Sequence, residues 1–306
     1  MDVFSVCAGV VAHNPKVDDL NALIENLLAC SKWLVIVDNN SSDICYLESL
    51  KGRSGVTIVR NHENRGVSRG INQVIEHARE MQAKFVIAFD QDTKISPDLV
   101  QVLASDLEKL LEAGEPVAAI GPSVIDDYTN FSLPFINFRL PLNTRYRRET
   151  LAENERVVEC DFLISSGCLM PMQVIDDIGP MNEALFIDNV DLEWCFRAIH
   201  NRYKIYGDFG VVIRQQIGEN YTRIPFTKSV IRYHDYKRSY YMTRNRFWLY
   251  RQHYANKAWI VHDVLRLTCK FLYLIVFKGG RRNLLKSSIR GIIDSFAMKS
   301  YNHSGP

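Results

Sequence analysis

Apolar residues follow two alternating rhythms along the first 125 positions. Short unbroken runs, FSVCAGVVAH, WLVIVDNN, VTIVRN, KFVIAFD and VAAIGP, have the length and bulk of strands buried on both faces. Between them Leu20, Leu23, Ile24, Leu27 and Leu28, and later Ile71, Val74, Ile75 and Ala78, recur at the spacing of a helix with one buried face. Ser68 is placed to cap the second of these helices. Ser96 and Pro97 are placed to open another, with Gly114 beyond its end. Strands joined by helices predict a mainly parallel sheet covered on both faces. Such sheets take their ligands outside the carboxyl ends of the strands. His13-Asn14, Asp38-Asn39 and Asp90-Gln91-Asp92 all fall at those ends.

Residues 126 to 157 lose this periodicity and gain polar residues and prolines. They predict an excursion or flexible loop rather than a linker between domains, because strand signals resume at VVECDFLISSGCLM. A helical stretch, NVDLEWCFRAIH, follows ALFID, and from about Tyr236 the chain turns aromatic, basic and helical. With 306 residues, 47% of them hydrophobic, a large core is available. A net charge of +2 gives no reason to expect nucleic acid as a partner. The seven cysteines are scattered without C-x-x-C spacing and read as free thiols of a reducing compartment. The start, MDVFSVCAGVVAHNP, reads as a first strand and not as a signal peptide. No apolar stretch has the ~18 residues of a spanning helix, so a cytoplasmic protein is expected.

Asp90 and Asp92 carry the first sharp chemical question. Residues two apart on a strand point to the same side of the sheet. Two carboxylates sharing one site repel, and one takes up a proton unless a cation relieves them. A hard divalent ion does so, held by one or two carboxylates together with substrate phosphate oxygens. The same letters also suit a polar strand end entering a solvated turn. Haloacid-dehalogenase-type phosphatases place D-x-D after a buried strand as well. There the motif belongs to the first strand, with Thr or Val two positions past the second acid. Here it ends the fourth strand, and Thr93 comes one residue early.

VVAHNP, VDNNSSD, NRGVSRGIN, FDQDT, SSGCLM and FIDNVDLEWCFRA occur in this order. Together they resemble a family 2 glycosyltransferase of the GT-A type, in particular its bacterial rhamnosyltransferase branch, over residues 4 to 250. The resemblance implies an α/β, GT-A-like fold: a mainly parallel central sheet flanked by helices, with a C-terminal helical extension. It implies a catalytic and nucleotide-sugar-binding domain over 1–235 and the extension over 236–306. The activity implied is inverting sugar transfer from a nucleotide diphosphate, with Mg²⁺ or Mn²⁺ at the D-x-D.

Carried over residue by residue, the resemblance puts His13, Asn14 and Pro15 against the nucleotide. Asp38 accepts the N3–H of a uracil or thymine ring, with Asn39 shaping the pocket; a turn acid serving NNSSD is the plainer reading of Asp38. Gly66, Arg69 and Gly70 open a helix whose N-terminus suits phosphate, although an ordinary loop entering a helix has the same letters. Asp90 contacts ribose or metal-bound water, and Asp92 is the direct metal ligand. Asp188 and Asp191, three apart, share a face if both are helical. Asp191 falls at the family's catalytic aspartate, ahead of Asp188, although acids at a helix start also favour its dipole. Ser166 and Gly167 approach the transferred sugar, or form a small-residue bulge. Trp194 stacks on the acceptor sugar or belongs to the core.

Relatives commonly carry a histidine where this chain has Gln215 or Gln216, which leaves a glutamine or His234 to complete the metal site. SYYMTRNRFWLYRQH resembles the family's Tyr-Tyr-x-x-Arg-Asn segment, which borders the acceptor. The tail beyond it mixes apolar runs with Arg266, Lys270, Lys278, Arg281, Arg282, Lys286 and Arg290. That pattern suits either a helix lying on anionic lipid or a helical pair covering the sheet. The expected donor is dTDP-rhamnose or a UDP-sugar. The expected acceptor is a glycan or lipid-linked glycan of bacterial surface polysaccharide, O-antigen or capsule. A sugar-phosphate nucleotidyltransferase is the competing enzyme class. It needs a Gly-rich basic loop after the first strand, which AHNPKVDD lacks. A binding module without catalysis has no need of two acid clusters.

Overall fold

The computed structural model describes residues 5–153, 155–218, 220–223, 230–233, 236–277 and 281–301. The apolar runs form strands β1 (Val6–Ala12), β2 (Trp33–Asp38), β3 (Val56–Arg60), β4 (Phe85–Asp90) and β5 (Val117–Asp126). Helices α1 (Val17–Cys30), α3 (Gly66–Glu80) and α4 (Leu99–Glu112) connect them, with a single turn, α2 (Cys45–Glu48), before β3. α3 starts two residues ahead of Ser68, and Ser68 is buried inside it instead of capping it. α4 starts after Ser96 and Pro97, whose turn is closed by the Leu99 N–H on the Ser96 carbonyl (3.2 Å).

The excursion holds three short strands, β6 (Phe131–Ser132), β7 (Phe135–Asn137) and β8 (Thr144–Tyr146). It is packed down: Phe135 meets Phe209 and Phe138 meets Phe196 edge to face, with centroids 4.7 and 5.8 Å apart. The run VVECDFLISSGCLM divides into β9 (Val157–Cys160) and β10 (Cys168–Pro171). Helices α5 (Met172–Ile178) and α6 (Val190–His200), strands β11 (Lys204–Gln215), β12 (Asn220–Arg223) and β13 (Val230–Tyr233), and helices α7 (Tyr236–Leu249), α8 (Lys257–Phe277) and α9 (Arg281–Ala297) complete the described chain.

The main sheet runs β3-β2-β1-β4-β10-β5-β11-β9, with β6 against β5. β3, β2, β1 and β4 are mutually parallel, as are β5 and β11. β10 is antiparallel to both β4 and β5, which separates the two parallel blocks. Alternate residues feed opposite cores. Ala8, Val10, Ile36 and Ile87 face α1 and α4, whereas Cys7, Val35, Val37 and Val86 face α3, α5 and α6. Five cysteines are buried and two, Cys45 and Cys269, are exposed; none is bonded to another. Among the described residues no helix is long and apolar enough to cross a membrane.

α3 lies unusually close to β1. A Cβ at Gly70 would come within 2.5 Å of Val11 Cγ1, so this glycine provides helix-on-sheet contact and not a phosphate cradle. Gly70→Val is expected to lower stability by about 1–3 kcal/mol through overpacking. Val11→Ala on that background should recover part of the loss. Urea midpoints of the single and double variants check this; equal midpoints for Gly70→Val and the parent would contradict it.

Candidate active site

β1 has β2 on one side and β4 on the other, so the connections leaving β1 and β4 diverge at their carboxyl ends. A cavity of about 870 Å³ opens there. His13 and Asn14 enter it from β1, Asn39 from β2, Gly66 from the start of α3, and Asp90, Gln91 and Asp92 from β4. Its far wall is Phe186 to Asp191, and Gln215 to Gly218 from the end of β11 close one side. Arg238 of α7 completes it.

The strand ends are tied together by polar side chains. The His13 N–H donates to Gln91 Oε1 (2.7 Å), and His13 Nδ1 lies 2.9 Å from the Asn39 carbonyl. The Asn39 amide donates to Asn64 Oδ1 and to the Gly66 carbonyl, both at 3.1 Å, while its Oδ1 accepts from the Arg65 N–H (2.9 Å). Gly66 has φ +82°, and a Cβ there would meet the Phe186 carbonyl at 2.3 Å. Only glycine brings α3 this close to the far wall.

Several residues singled out in the sequence are placed elsewhere. Asp38 is fully buried and has the turn role: its carboxylate accepts from Tyr46 Oη (2.8 Å) and the Ser41 N–H (3.2 Å). Pro15 is half-buried outside the cavity lining. Arg69 forks onto Glu76 and Glu183 on the outer side of α3, which takes its charge away from the cavity. Trp194 is core, its indole N–H donating to the Gly179 carbonyl (3.1 Å). Ser166 is buried beneath the floor, where its Oγ accepts from the Asp90 N–H (3.2 Å) and bonds Thr93 Oγ1 (2.7 Å). It is Ser165, one residue earlier, that reaches the cavity. The Gly167 N–H is taken up by the Ala88 carbonyl (2.8 Å). Gln215 and Gln216 both line the cavity, and His234 lies outside the described residues.

Asp188 and Asp191 do converge on the cavity, by a different route from helical spacing. α6 begins at Val190, and Asp188 and Asn189 precede it in left-handed backbone, φ +62° and +60°. Asp188 accepts a fork from Arg238, with Nε to Oδ2 and Nη2 to Oδ1 both 3.1 Å. Arg238 comes from 50 residues further on, and the turn to aromatic and basic residues from about Tyr236 is its sole sequence signal. Asp191, in the first turn of α6, accepts from the Leu192 N–H (2.8 Å).

Burial drives the electrostatics. It raises the Asp191 carboxyl to about 7, helped by the negative charges of Asp188 and Asp90. It raises Asp90 to about 6, with Asp92 adding repulsion and Arg238 opposing it. Asp92 is also held above the ordinary carboxylate range, by burial first. Among the described residues neither Asp90 nor Asp92 has an ion-pair partner, and no three acid, imidazole or thiol groups form a ready metal cage. Two crowded, unneutralised carboxylates fit a hard divalent ion whose remaining ligands are water and substrate oxygens.

The chain matches the family model "Glycosyl transferase family 2" over residues 7–178, and it belongs to that family of glycosyltransferases. Among curated proteins it is similar to "dTDP-rhamnosyl transferase RfbF" of Shigella flexneri, 26% identical over 290 residues that cover 95% of each chain. Its fold is similar to that of GalNAc-T7 solved with UDP, GalNAc and Mn²⁺ (TM-score 0.58, 11% identity, 96% of this chain); the chain spans 58% of the length of that one. It is also similar to residues 1–349 of S. aureus TarS, at TM-score 0.55 and 13% identity, covering 95% of this chain and 81% of that one.

The raised Asp191 carboxyl makes a pH prediction. If Asp191 takes a proton from the acceptor it must be ionised, so kcat/KM is expected to rise with pH through about 7. The folded chain holds this proton more tightly than the unfolded one. Its contribution to stability is therefore present at acid pH and is lost as pH climbs from the carboxylate range to about 7. Asp191→Asn should remove this rise from the rate profile and lower the rate by about 10²–10⁴. A wild-type profile flat from pH 5 to 9 would remove Asp191 from this role.

Proposed function

We propose that this chain is an inverting transferase that moves a 6-deoxyhexose, rhamnose from dTDP-rhamnose, onto a glycan or lipid-linked glycan of bacterial surface polysaccharide. The observation that carries the reading is the convergence of the β4 carboxylates and Asp191 on one cavity large enough for a nucleotide sugar. The likeness to a dTDP-rhamnosyl transferase over nearly the whole chain supports the donor.

In this mechanism His13, Asn14, Asn39 and Gly66 bind the nucleotide end of the donor. Asp90 and Asp92 would hold Mg²⁺ or Mn²⁺, which supplies positive charge to the diphosphate as it departs. Asp191 takes the proton of the acceptor hydroxyl while that oxygen bonds to the anomeric carbon. The bond from that carbon to the phosphate oxygen breaks on the opposite face, and its electron pair leaves with the nucleoside diphosphate. Arg238 keeps the Asp188 carboxylate neutralised and so leaves the proton transfer to Asp191. A nucleotidyltransferase is disfavoured by the segment after β1, where His13 to Lys16 pass into α1 without a Gly-rich turn.

A surface reading accompanies the chemical one. Leu265, Leu272, Ile289, Ile293 and Phe296 are exposed on α8 and α9, beside the exposed Arg266, Lys286 and Arg290. This combination suits attachment to an anionic membrane surface, on the cytoplasmic face where a lipid-linked acceptor is met.

Two experiments test these readings. In a panel of dTDP- and UDP-sugars assayed with and without Mn²⁺, dTDP-rhamnose should have the highest kcat/KM, and Asp92→Ala should abolish the response to metal. A UDP-sugar outperforming dTDP-rhamnose would replace the donor, and metal-independent turnover would overturn the ligand assignment. In co-sedimentation with phosphatidylglycerol vesicles, Ile293→Asp with Phe296→Asp should reduce binding; equal sedimentation of variant and parent would discard the membrane face.

A further inference from the structure

The wall that presents Asp188 and Asp191 is backbone that does not hold this shape by itself. Phe186, Asp188 and Asn189 have φ of +65°, +62° and +60°; Asp and Asn tolerate this region, whereas Phe186, with ψ −61°, adopts it only where its surroundings enforce it. The enforcement comes from two consecutive residues of α7. The side-chain amide of Asn245, itself fully buried, lies 2.8 Å from the Leu185 carbonyl, 2.7 Å from that of Ile187 and 2.9 Å from that of Asp188. Arg244 donates to the Ala184 carbonyl (2.7 Å) and to that of Leu185 (3.1 Å). The remaining carbonyl, that of Phe186, accepts from the Val67 N–H (2.8 Å) on the opposite side.

The orientation of the Asn245 amide is itself dictated. Its Oδ1 accepts from Arg244 Nε (3.0 Å) and Nη2 (2.9 Å), so its NH₂ must turn to the loop. The Arg244 guanidinium stacks over Tyr241 at 4.9 Å, and Tyr241 stacks in turn on Phe186, centroids 4.9 Å apart. The circuit closes on the strained loop from which it started. Packing alone does not require an amide here. One NH₂ reaching three carbonyls of a segment that touches the cavity defines the path of that segment.

We infer that Asn245 is a positioning residue for sugar transfer, held by Arg244: it sets the loop from Leu185 to Asp188 and through it the placement of Asp188 and Asp191 at the reacting centre. This rests on the transferase reading above. Because misplacing a reacting group by about 1 Å costs about 10²-fold, Asn245→Ala is expected to lower kcat by about that factor. The affinity for dTDP, whose binding groups His13, Asn14 and Asn39 lie at the ends of β1 and β2, should change far less than kcat. Amide hydrogen exchange should rise in residues 184–192 and not in the sheet. Arg244→Lys, which keeps the charge and loses the fork, provides a milder second variant should Asn245→Ala fold poorly; it should show the same pattern to a smaller degree.

Unchanged kcat in both variants, or kcat and dTDP affinity falling together, would overturn the inference and leave Asn245 a purely structural residue. So would exchange in 184–192 equal to that of the parent. A parent chain inert towards every nucleotide sugar would defeat the transferase reading instead, and the hold of Asn245 on the loop would then be decided by the exchange measurement alone.

Discussion

Four neighbouring strands, β3, β2, β1 and β4, run the same way, and this shared direction governs where chemistry can occur. Parallel strands need helical returns, so their carboxyl ends all open on one edge, away from the helices' bulk. Any polar residue that ends a strand is delivered to that edge. His13, Asn39, Asp90 and Asp92 come from distant stretches of chain and meet for this reason alone. The antiparallel β10 extends the principle. It enters the sheet from the same edge, pairing Cys168 with Ala88, so the residues just ahead of it reach the cavity floor. Direction, and not proximity in sequence, assembles the site.

The parallel sheet, its covering helices and the residues at its strand ends could be read from the chain because each rests on a short-range pattern. A buried strand declares itself within six residues, and the residues just past its last position must lie at the sheet edge. The wall opposite was less legible. Asp188 and Asp191 look like helical neighbours, but Asp188 lies outside α6 in left-handed backbone that contacts with α7 hold in place. Arg69 and Trp194 mislead for a related reason. Their chemistry suits a ligand, but Arg69 is taken by Glu76 on its own helix and by Glu183 from 114 residues away, and Trp194 is buried with its indole N–H on Gly179; no local hydrophobic pattern announces these pairings. Arg238 is the converse: one arginine in a basic stretch becomes part of the cavity only because α7 returns across it.

The site also shows how a cluster of negative charge can be kept in a folded protein. Asp188 is neutralised by a fork from Arg238, and burial lifts Asp191 and Asp90 towards neutral pH. A second buried acid pair away from the cavity obeys the same rule. Asp106 and Asp208 share Arg156, and burial raises Asp208 to about 6. There the arginine is supplied by the chain. Among the described residues none forms an ion pair with Asp90 or Asp92, which is the difference between an internal ion pair and a place suited to a visiting cation.

α9 lies directly behind α7. A Cβ at Gly291 would come within 2.8 Å of the Tyr240 carbonyl, and Tyr240 Oη bonds Asp294 at 2.7 Å. α7 is therefore held from two sides: Arg238, Arg244 and Asn245 reach the wall of the cavity, and Tyr240 is tied to α9. The outermost helix backs the one on which the loop ahead of α6 leans, so a substitution on the inner side of α9 bears on the site through a single layer of packing.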